Sequence, residues 1–269
     1  MTASMTRPPG VGGLLRDWRQ RRHLSQLDLA LTAQVSARHL SFVETGRSRP
    51  SPELVIHLAE HLEVPLRDRN ALLLAAGYAP TYTQTPLEAR EMSPIRSALD
   101  KIVRGHEPFP ALVADRRWDV VTTNAPGLAL MSEGVARSLL APPVNVLRLS
   151  LHPDGLAPRI VNFAEWSEHL MERLDRQIAT SQEPGLTALA AELRTLPGVG
   201  EAGSSAGRGS PDLAHRLFVP LVLRRGDQEL RFVSTVSTFG TALDITVAEL
   251  VIESFFPADD ETATILAAG

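Results

Sequence analysis

Cysteine is absent from the 269 residues, which excludes disulfides, a thiolate nucleophile and any zinc or iron–sulfur site held by Cys. Lysine is almost as scarce. Of the 27 basic residues 26 are arginine, a bias that fits a high-GC genome and carries little functional weight. Long apolar runs are missing too. No stretch approaches the roughly 20 uncharged apolar residues that span a bilayer, and Met1 to Gly13 lacks the apolar core of a secretion signal. No paired carboxylates stand out as an acid and a base. These absences set the expectation of a cytoplasmic protein with no membrane partner and no catalytic residues.

What is present divides in two. Hydrophobic residues make up 43% and charged residues 22%, ordinary for a folded soluble chain, and the length suits a small domain joined to a medium one. The net charge of −4 hides an asymmetry. Residues 1–80 hold ten Arg against seven acidic residues, so +3, and the remainder carries −7. A basic first third on an acidic body suits a head that binds a polyanion.

The first section reads as five short helices. Leu14, Leu15 and Trp18 form an apolar stripe on the first. Ser25 and Ser36 stand where N-caps belong on the second and third, and Gly46 ends the third. Ser51-Pro52 opens a fourth helix and Pro65 a fifth that stops at Gly77. Ala79 to Pro94, with three Pro and three Thr, reads as a linker. Beyond it, Ile95 to Arg104 predicts a helix, Ala111–Ala114 and Asp119–Thr123 strands, and Ala125–Gly134 a helix. Val144–Leu151 predicts a strand, Phe163–Ser181 and Leu186–Leu196 helices, and Pro197–Pro211 a Gly/Ser-rich loop. Leu217–Leu223, Glu229–Phe239 and Ala242–Glu253 predict strands, the first two joined at Gly226-Asp227. The expected fold is multidomain, an all-α head followed by an α+β body with a short antiparallel sheet.

Within the head, Ser25 to Gly46 has the layout of a helix-turn-helix, in which one helix anchors by its apolar side and reads base edges with the other. At about 100° per residue, Leu40 and Val43 share one side of the third helix, with Ser36 beside them. Ala37, Arg38, Ser41, Phe42 and Thr45 share the other. Small residues at 37 and 41 permit close approach to a groove. Arg38 carries a planar fork that matches guanine O6 and N7, a contact giving about 1–3 kcal/mol of discrimination. Phe42 is unusual on such a face, though it can touch a thymine methyl.

Residues 14–77 resemble the five-helix domain of lambda-type phage repressors and XRE-type regulators. Carried over, the resemblance places Ser25 and Gln26 on DNA phosphates and Ser36, Ala37 and Arg38 at the groove-facing helix start. It places Arg47 and Arg49 in a loop facing the DNA backbone. Arg19 and Glu44 match an ion pair between the first and third helices. The tight turn usually carries Gly, and here it carries Gln34; a left-handed Gln costs roughly 1–2 kcal/mol.

Val35 to Ser51, Leu72-Leu-Leu-Ala-Ala-Gly-Tyr78, Asn145 to Leu156, Ser237-Thr-Phe-Gly-Thr241 and Glu253-Ser-Phe-Phe-Pro-Ala-Asp259 resemble the MmyB-like branch of these bacterial regulators. That resemblance implies a helix-turn-helix DNA-binding domain at 1–78, a linker at 79–94 and a PAS-like ligand-binding domain at 95–269. It implies a nucleoid-associated homodimer on a palindromic operator, and a small apolar ligand such as a fatty acid. Trp118, Met131, His152, Phe163, Trp166, Leu170 and Phe232 are the candidate ligand contacts. Most aromatics of this half, Phe109, Phe218 and Phe239 among them, are core by default.

Three patterns mimic enzymes. Gly198-Val-Gly-Glu-Ala-Gly203 fits a dinucleotide fingerprint without its βαβ unit, and Gly203-Ser-Ser-Ala-Gly207 fits a nucleophile elbow without its strand-to-helix turn. His57-Leu-Ala-Glu-His61 fits an inverted zinc-protease motif, but both His fall on a polar helix face and read as solvated. His152, His169 and His215 are too dispersed for a metal, and His152 suits a turn. Two rival functions stay open: a protein-interaction adaptor with a closed core, and an enzyme acting on a pocket ligand.

Overall fold

In the computed structural model, residues 10–181, 183–200 and 218–268 are described. The Gly203–Gly207 pattern, His215, Leu217 and most of the Pro197–Pro211 loop lie outside them. Helices α1 (Val11–Arg21), α2 (Gln26–Thr32), α3 (Ala37–Glu44), α4 (Pro52–His61) and α5 (Leu66–Ala75) come first. Then follow α6 (Ser93–Arg104), β1 (Ala111–Ala114), β2 (Val120–Thr123), α7 (Ala125–Ser132), α8 (Val146–Leu151), α9 (Phe163–Ser181) and α10 (Pro184–Leu193). The chain closes with β3 (Leu221–Arg225), β4 (Gln228–Thr238), a helical turn α11 (Ile245–Ala248), β5 (Val251–Pro257) and α12 (Asp260–Ala268).

The chain forms two compact units, Met1–Thr85 with Thr241–Ala248, and Pro86–Gly240 with Glu249–Gly269. In the first, local chemistry sets the helix starts. The Ser25 Oγ accepts from the Asp28 N–H at 3.1 Å while the Asp28 carboxylate accepts from the Ser25 N–H at 2.9 Å, a reciprocal cap. Ser36 and Ser51 cap α3 and α4 by accepting from His39 and Leu54 N–H at 3.4 and 3.3 Å. The helix ends share one device. His23, Gln34, Gly46, Glu63 and Gly77 adopt φ of 55°, 53°, 72°, 49° and 79°. In each case the next N–H returns to a carbonyl five residues back, as from Val35 to Ala30 at 2.9 Å.

Gln34→Gly should therefore stabilise this unit. The relieved strain is about 1–2 kcal/mol, offset by about 0.5–1 kcal/mol of added chain flexibility. A rise in the unfolding midpoint in urea is the expected result, and a fall would show that the Gln34 side chain contributes packing of its own.

Leu15, Leu29, Leu40, Leu58, Leu72 and Leu73 fill the core of the unit. Gly12 lets α1 lie on the end of α3, since a Cβ there would collide with the carbonyl oxygens of Val43 and Glu44. Residues expected in a linker belong partly to this unit. The Asn70 side chain accepts from Thr81 and Tyr82 N–H, both at 3.0 Å, and donates to the Tyr82 carbonyl at 2.7 Å. The distant segment Thr241–Ala248 joins them. The Asp244 carboxylate accepts from the Thr83 hydroxyl at 2.8 Å and from the Thr85 hydroxyl and N–H at 2.8 and 3.1 Å. Ile245 and Val247 are buried, and α11 packs on α5.

The second unit is built on an antiparallel five-stranded sheet of order β2-β1-β5-β4-β3, with α7, α8, α9 and α10 between β2 and β3 among the described residues, in keeping with a PAS-like α+β domain. Leu221↔Phe232 through Arg225↔Gln228 set the register of the hairpin turning at Gly226-Asp227. Strand alternation sends Leu112, Leu230, Phe232 and Phe255 to one face, where they meet Leu147, Leu149, Trp166, Leu170 and Leu174. Ala111, Val113 and Ile252 face the other way, against Leu99 and Val103 of α6.

Two expected strands are corrected. Val144–Leu151 is mostly the helix α8, with the Asn145 side chain accepting from Arg148 N–H at 3.2 Å as its cap. Leu147, Leu149, Ser150 and Leu151 are buried while the Arg148 side chain is 43% exposed; leucines at 147, 149 and 151 alternate as they would in a strand, and six residues are too few for a helical period to show. Ala242–Glu253 divides into the turn α11 and the start of β5, whose pairing runs on to Pro257. The terminal helix α12 was not foreseen.

Candidate DNA-reading helix and ligand cavity

On α3, Leu40 and Val43 are each 1% exposed, while Ala37 and Arg38 lie open to solvent and Ser41 and Phe42 are half-buried. The Arg38 guanidinium sits 5.4 Å from the Phe42 ring centroid, so the unusual aromatic serves as a platform for the arginine. Arg47 is exposed. Among the described residues neither guanidinium donates a hydrogen bond to the protein, which leaves ten N–H donors available between them.

Glu44 anchors this helix from inside. Arg19 Nε and Nη2 meet its two oxygens at 2.7 and 2.8 Å, with the side chains 9% and 1% exposed. The Gln26 amide donates to the same carboxylate at 2.8 Å, and Arg19 Nη1 donates to the Leu24 carbonyl at 2.8 Å. Burial pushes the Glu44 pKa upward, but the hydrogen bonds from Arg19 and Gln26 outweigh it and hold the carboxyl below its ordinary range.

Several residues singled out for DNA contact thus have internal duties. Ser25 and Ser36 cap helices, and Gln26 binds Glu44. Arg49 donates from Nε and Nη2 to the Ala76 carbonyl at 3.1 and 2.8 Å and lies 4.9 Å from the Tyr78 ring, which secures the end of α5. The zinc-like pair is also employed otherwise. His57 Nε2 bonds the Ala33 carbonyl at 2.7 Å and His61 Nδ1 the His57 carbonyl at 2.9 Å. Among the described residues no group of three or more His, Cys, Asp or Glu is placed to hold a metal ion.

The second unit contains an inner slot between its sheet and α7, α8 and α9. Trp118, Met131, Trp166 and Leu170 line it, joined by Leu112, Leu149, Leu221 and Phe255. It has room for only a few waters. A wider cleft of about 1270 Å³, counting its open mouth, adjoins it through the shared residues Pro110 and Leu130.

The other three candidate ligand contacts lie elsewhere. Phe232 is fully buried core, edge-on to Phe255 at 6.2 Å between centroids. Phe163 packs half-buried against that core. His152 Nδ1 accepts from the Asp154 N–H at 3.0 Å and shapes a turn.

One charged residue enters the slot, and the sequence reading missed it. Glu253 on β5 is buried, and Arg173 Nη1 on α9 meets its oxygens at 3.2 and 3.3 Å. The same guanidinium lies 4.5 Å from the Trp118 ring, whose Nε1–H donates to Gln177 Oε1 at 2.7 Å. A period-2 reading of Val-Ile-Glu-Ser-Phe-Phe would have found it, because Glu253 and Phe255 share a strand face. Trp166 is 4% exposed, and its Nε1 is the one buried side-chain polar atom without a hydrogen-bond partner among the described residues. Such an unsatisfied donor costs about 1–3 kcal/mol.

Among the described residues no helix is long and apolar enough to cross a membrane. Residues 15–68 match the helix-turn-helix family model, and residues 95–268 match that of the MmyB-like transcription regulator ligand binding domain. No curated protein matches the chain. The match over 95–268 covers more than half of the sequence, so a DNA-reading head of XRE type and a ligand-binding body with its own cavity place this chain in the family of MmyB-like transcription regulators.

Proposed function

We propose that this DNA-binding regulator acts as a homodimer on a palindromic operator, with half-sites about 34 Å apart, and that a small apolar ligand of the fatty-acid type tunes its binding. The observation that carries the reading is the solvent-facing Ala37–Arg38 edge of a helix fixed from behind by Leu40, Val43 and Glu44. Arg38 reads a base edge and Arg47 neutralises a phosphate. Tuning is supported by chain continuity. Segment 241–248 is part of the head unit, and β5, which follows directly, brings Glu253 and Phe255 to the slot. A ligand shifts the operator equilibrium only through unequal affinity for two head arrangements, and near-complete switching needs about 5.5 kcal/mol of preference.

The test is DNA binding at several salt concentrations with the region upstream of the gene and a scrambled duplex. Arg38→Ala should lower discrimination between the two by about 10- to 100-fold, equivalent to about 1–3 kcal/mol. Arg47→Ala should weaken both duplexes alike and reduce the slope of log affinity against log salt by about one. Equal loss of discrimination in the two variants would reject these roles, and absence of binding by the parent protein would reject the operator model.

A further inference from the structure

The sheet of the second unit has two margins, and other segments lie along both. Beside β2, the Val120 N–H donates to the Val144 carbonyl and the Val146 N–H to the Trp118 carbonyl, each at 2.8 Å. Beside β3, the Val161 N–H donates to the Val222 carbonyl at 2.8 Å, and the Asn162 side chain accepts from the Val222 N–H at 3.1 Å. Strand β4 is the exception. It outruns its neighbour, since β3 pairs only with Gln228 to Phe232. Among the described residues, 233–238 pair with β5 alone. The Ala258 N–H donates to the Arg231 carbonyl at 2.8 Å, so residues 231, 233, 235 and 237 direct their backbone groups to the β5 side. By alternation those of Ser234, Val236 and Thr238 point to the open side. Open edges are commonly guarded by charge, proline or a bulge. Here no charged residue and no proline stands between Arg231 and Asp244, and the register with β5 runs unbroken from Phe232 to Thr238. Residues 235–238 are exposed, Val236 by 49%.

We infer that this edge joins two copies of the chain, β4 of one pairing antiparallel with β4 of the other about a twofold axis at Val236. The inference rests on the homodimer proposed above and names its seam. Ser234 then faces Thr238 of the second copy and Val236 faces its own counterpart, so every outward N–H and carbonyl of the three finds a partner. A twofold axis sets each residue near the axis against its own kind, and like charges placed opposite each other repel. A neutral segment escapes that penalty, which makes a second copy the matching occupant in both length and charge. The β-branched Val and Thr residues suit strand pairing, and the two Val236 side chains leave water together. The chain runs from this edge almost directly into segment 241–248 of the head unit.

The test is sedimentation velocity of the full chain over a range of concentrations, with cross-linking beside it. Val236→Pro removes an N–H that faces outward and so spares the pairing with β5. It should weaken dimerisation at least about 100-fold while the circular dichroism stays that of the parent. Val236→Thr keeps the N–H and should remain dimeric. Because the chain has no cysteine, Val236→Cys offers a single thiol per copy. Two such residues about 5.5 Å apart across the axis lie within disulfide reach, so mild oxidation should yield a covalent dimer. Val161→Cys, at a site 42% exposed beside the covered margin, should not cross-link. A dimer that survives Val236→Pro overturns the seam and leaves the homodimer reading standing, as does Val236→Cys cross-linking no better than Val161→Cys. Should Val236→Pro misfold, the two cysteine variants decide alone. A parent chain that is monomeric at every concentration overturns the seam and the homodimer together.

Discussion

Replacing Glu44 by alanine should cost the head about 3–5 kcal/mol, the penalty for stranding one member of a buried ion pair. Total stability of a domain is about 5–15 kcal/mol, so much of the reserve would be lost. The reason is geometric. Arg19 would keep its charge with 9% of its side chain exposed and only the Leu24 carbonyl as partner, and Gln26 would lose its acceptor. Urea denaturation and operator affinity should fall together, because α3 carries both Glu44 and Arg38. Replacing Arg19 and Glu44 jointly by Met and Leu should cost far less, since apolar pairs often substitute for buried ion pairs without loss. A single substitution as mild as the double would show that water reaches the pair. Acid should act in the same direction. The Glu44 carboxyl titrates below its unfolded value, so its contribution is present above the unfolded pKa and disappears as pH falls through the folded one.

Asn124→Ala should have a comparable effect on the second unit. The Asn124 oxygen accepts from the N–H groups of Ala111 and Gly127 at 3.0 and 2.9 Å, and its amide donates to the carbonyls of Val103 and Phe109 at 3.0 and 2.8 Å. One side chain, 3% exposed, thereby ties together the end of α6, the entry to β1 and the start of α7. Alanine would leave the Ala111 and Gly127 N–H groups and the Phe109 carbonyl without these partners, whereas the Val103 carbonyl would keep the His106 N–H at 3.2 Å. At about 1–3 kcal/mol for each group that stays dry, a loss of about 3–5 kcal/mol is expected after partial rescue by water. Pro110, Ala111 and Gly127 also line the slot, so ligand affinity should drop along with stability. Urea melts of the full chain measure the first effect, and a cost under about 1 kcal/mol would mean that the freed groups find other partners.

How much of this was legible in the sequence depended on how local the determining interaction is. Ser25, Ser36 and Ser51 could be read as caps because the bond closes within three residues. The left-handed turn at Gln34 was legible for the same reason. Arg38 could be placed on the outer face of α3 because Leu40 and Val43 define the inner one. Arg49 could not be resolved, since its partners at Ala76 and Gly77 are supplied by the next helix but one. In the body, Trp118, Met131, Trp166 and Leu170 reach the slot and Phe232 does not. Composition says that such rings are buried, and only the twist of the sheet against α9 decides which of them borders empty space. The helix α8 and the turn α11 are too short for a helical period to show, and their buried residues at 147, 149 and 151 and at 245 and 247 alternate as in a strand.

The part played by Asp244, Ile245 and Val247 bears on how the molecule can be taken apart. A gene fragment cut at residue 85 would encode the whole helix-turn-helix match, yet it would leave the Thr83 and Thr85 hydroxyls without their carboxylate. It would also bare the surface of α5 that α11 covers. The head is assembled from two stretches more than a hundred residues apart. A faithful isolated head would need residues 241–248 spliced back, and a domain swap made at the interdomain boundary would carry one regulator's fastening into another's head.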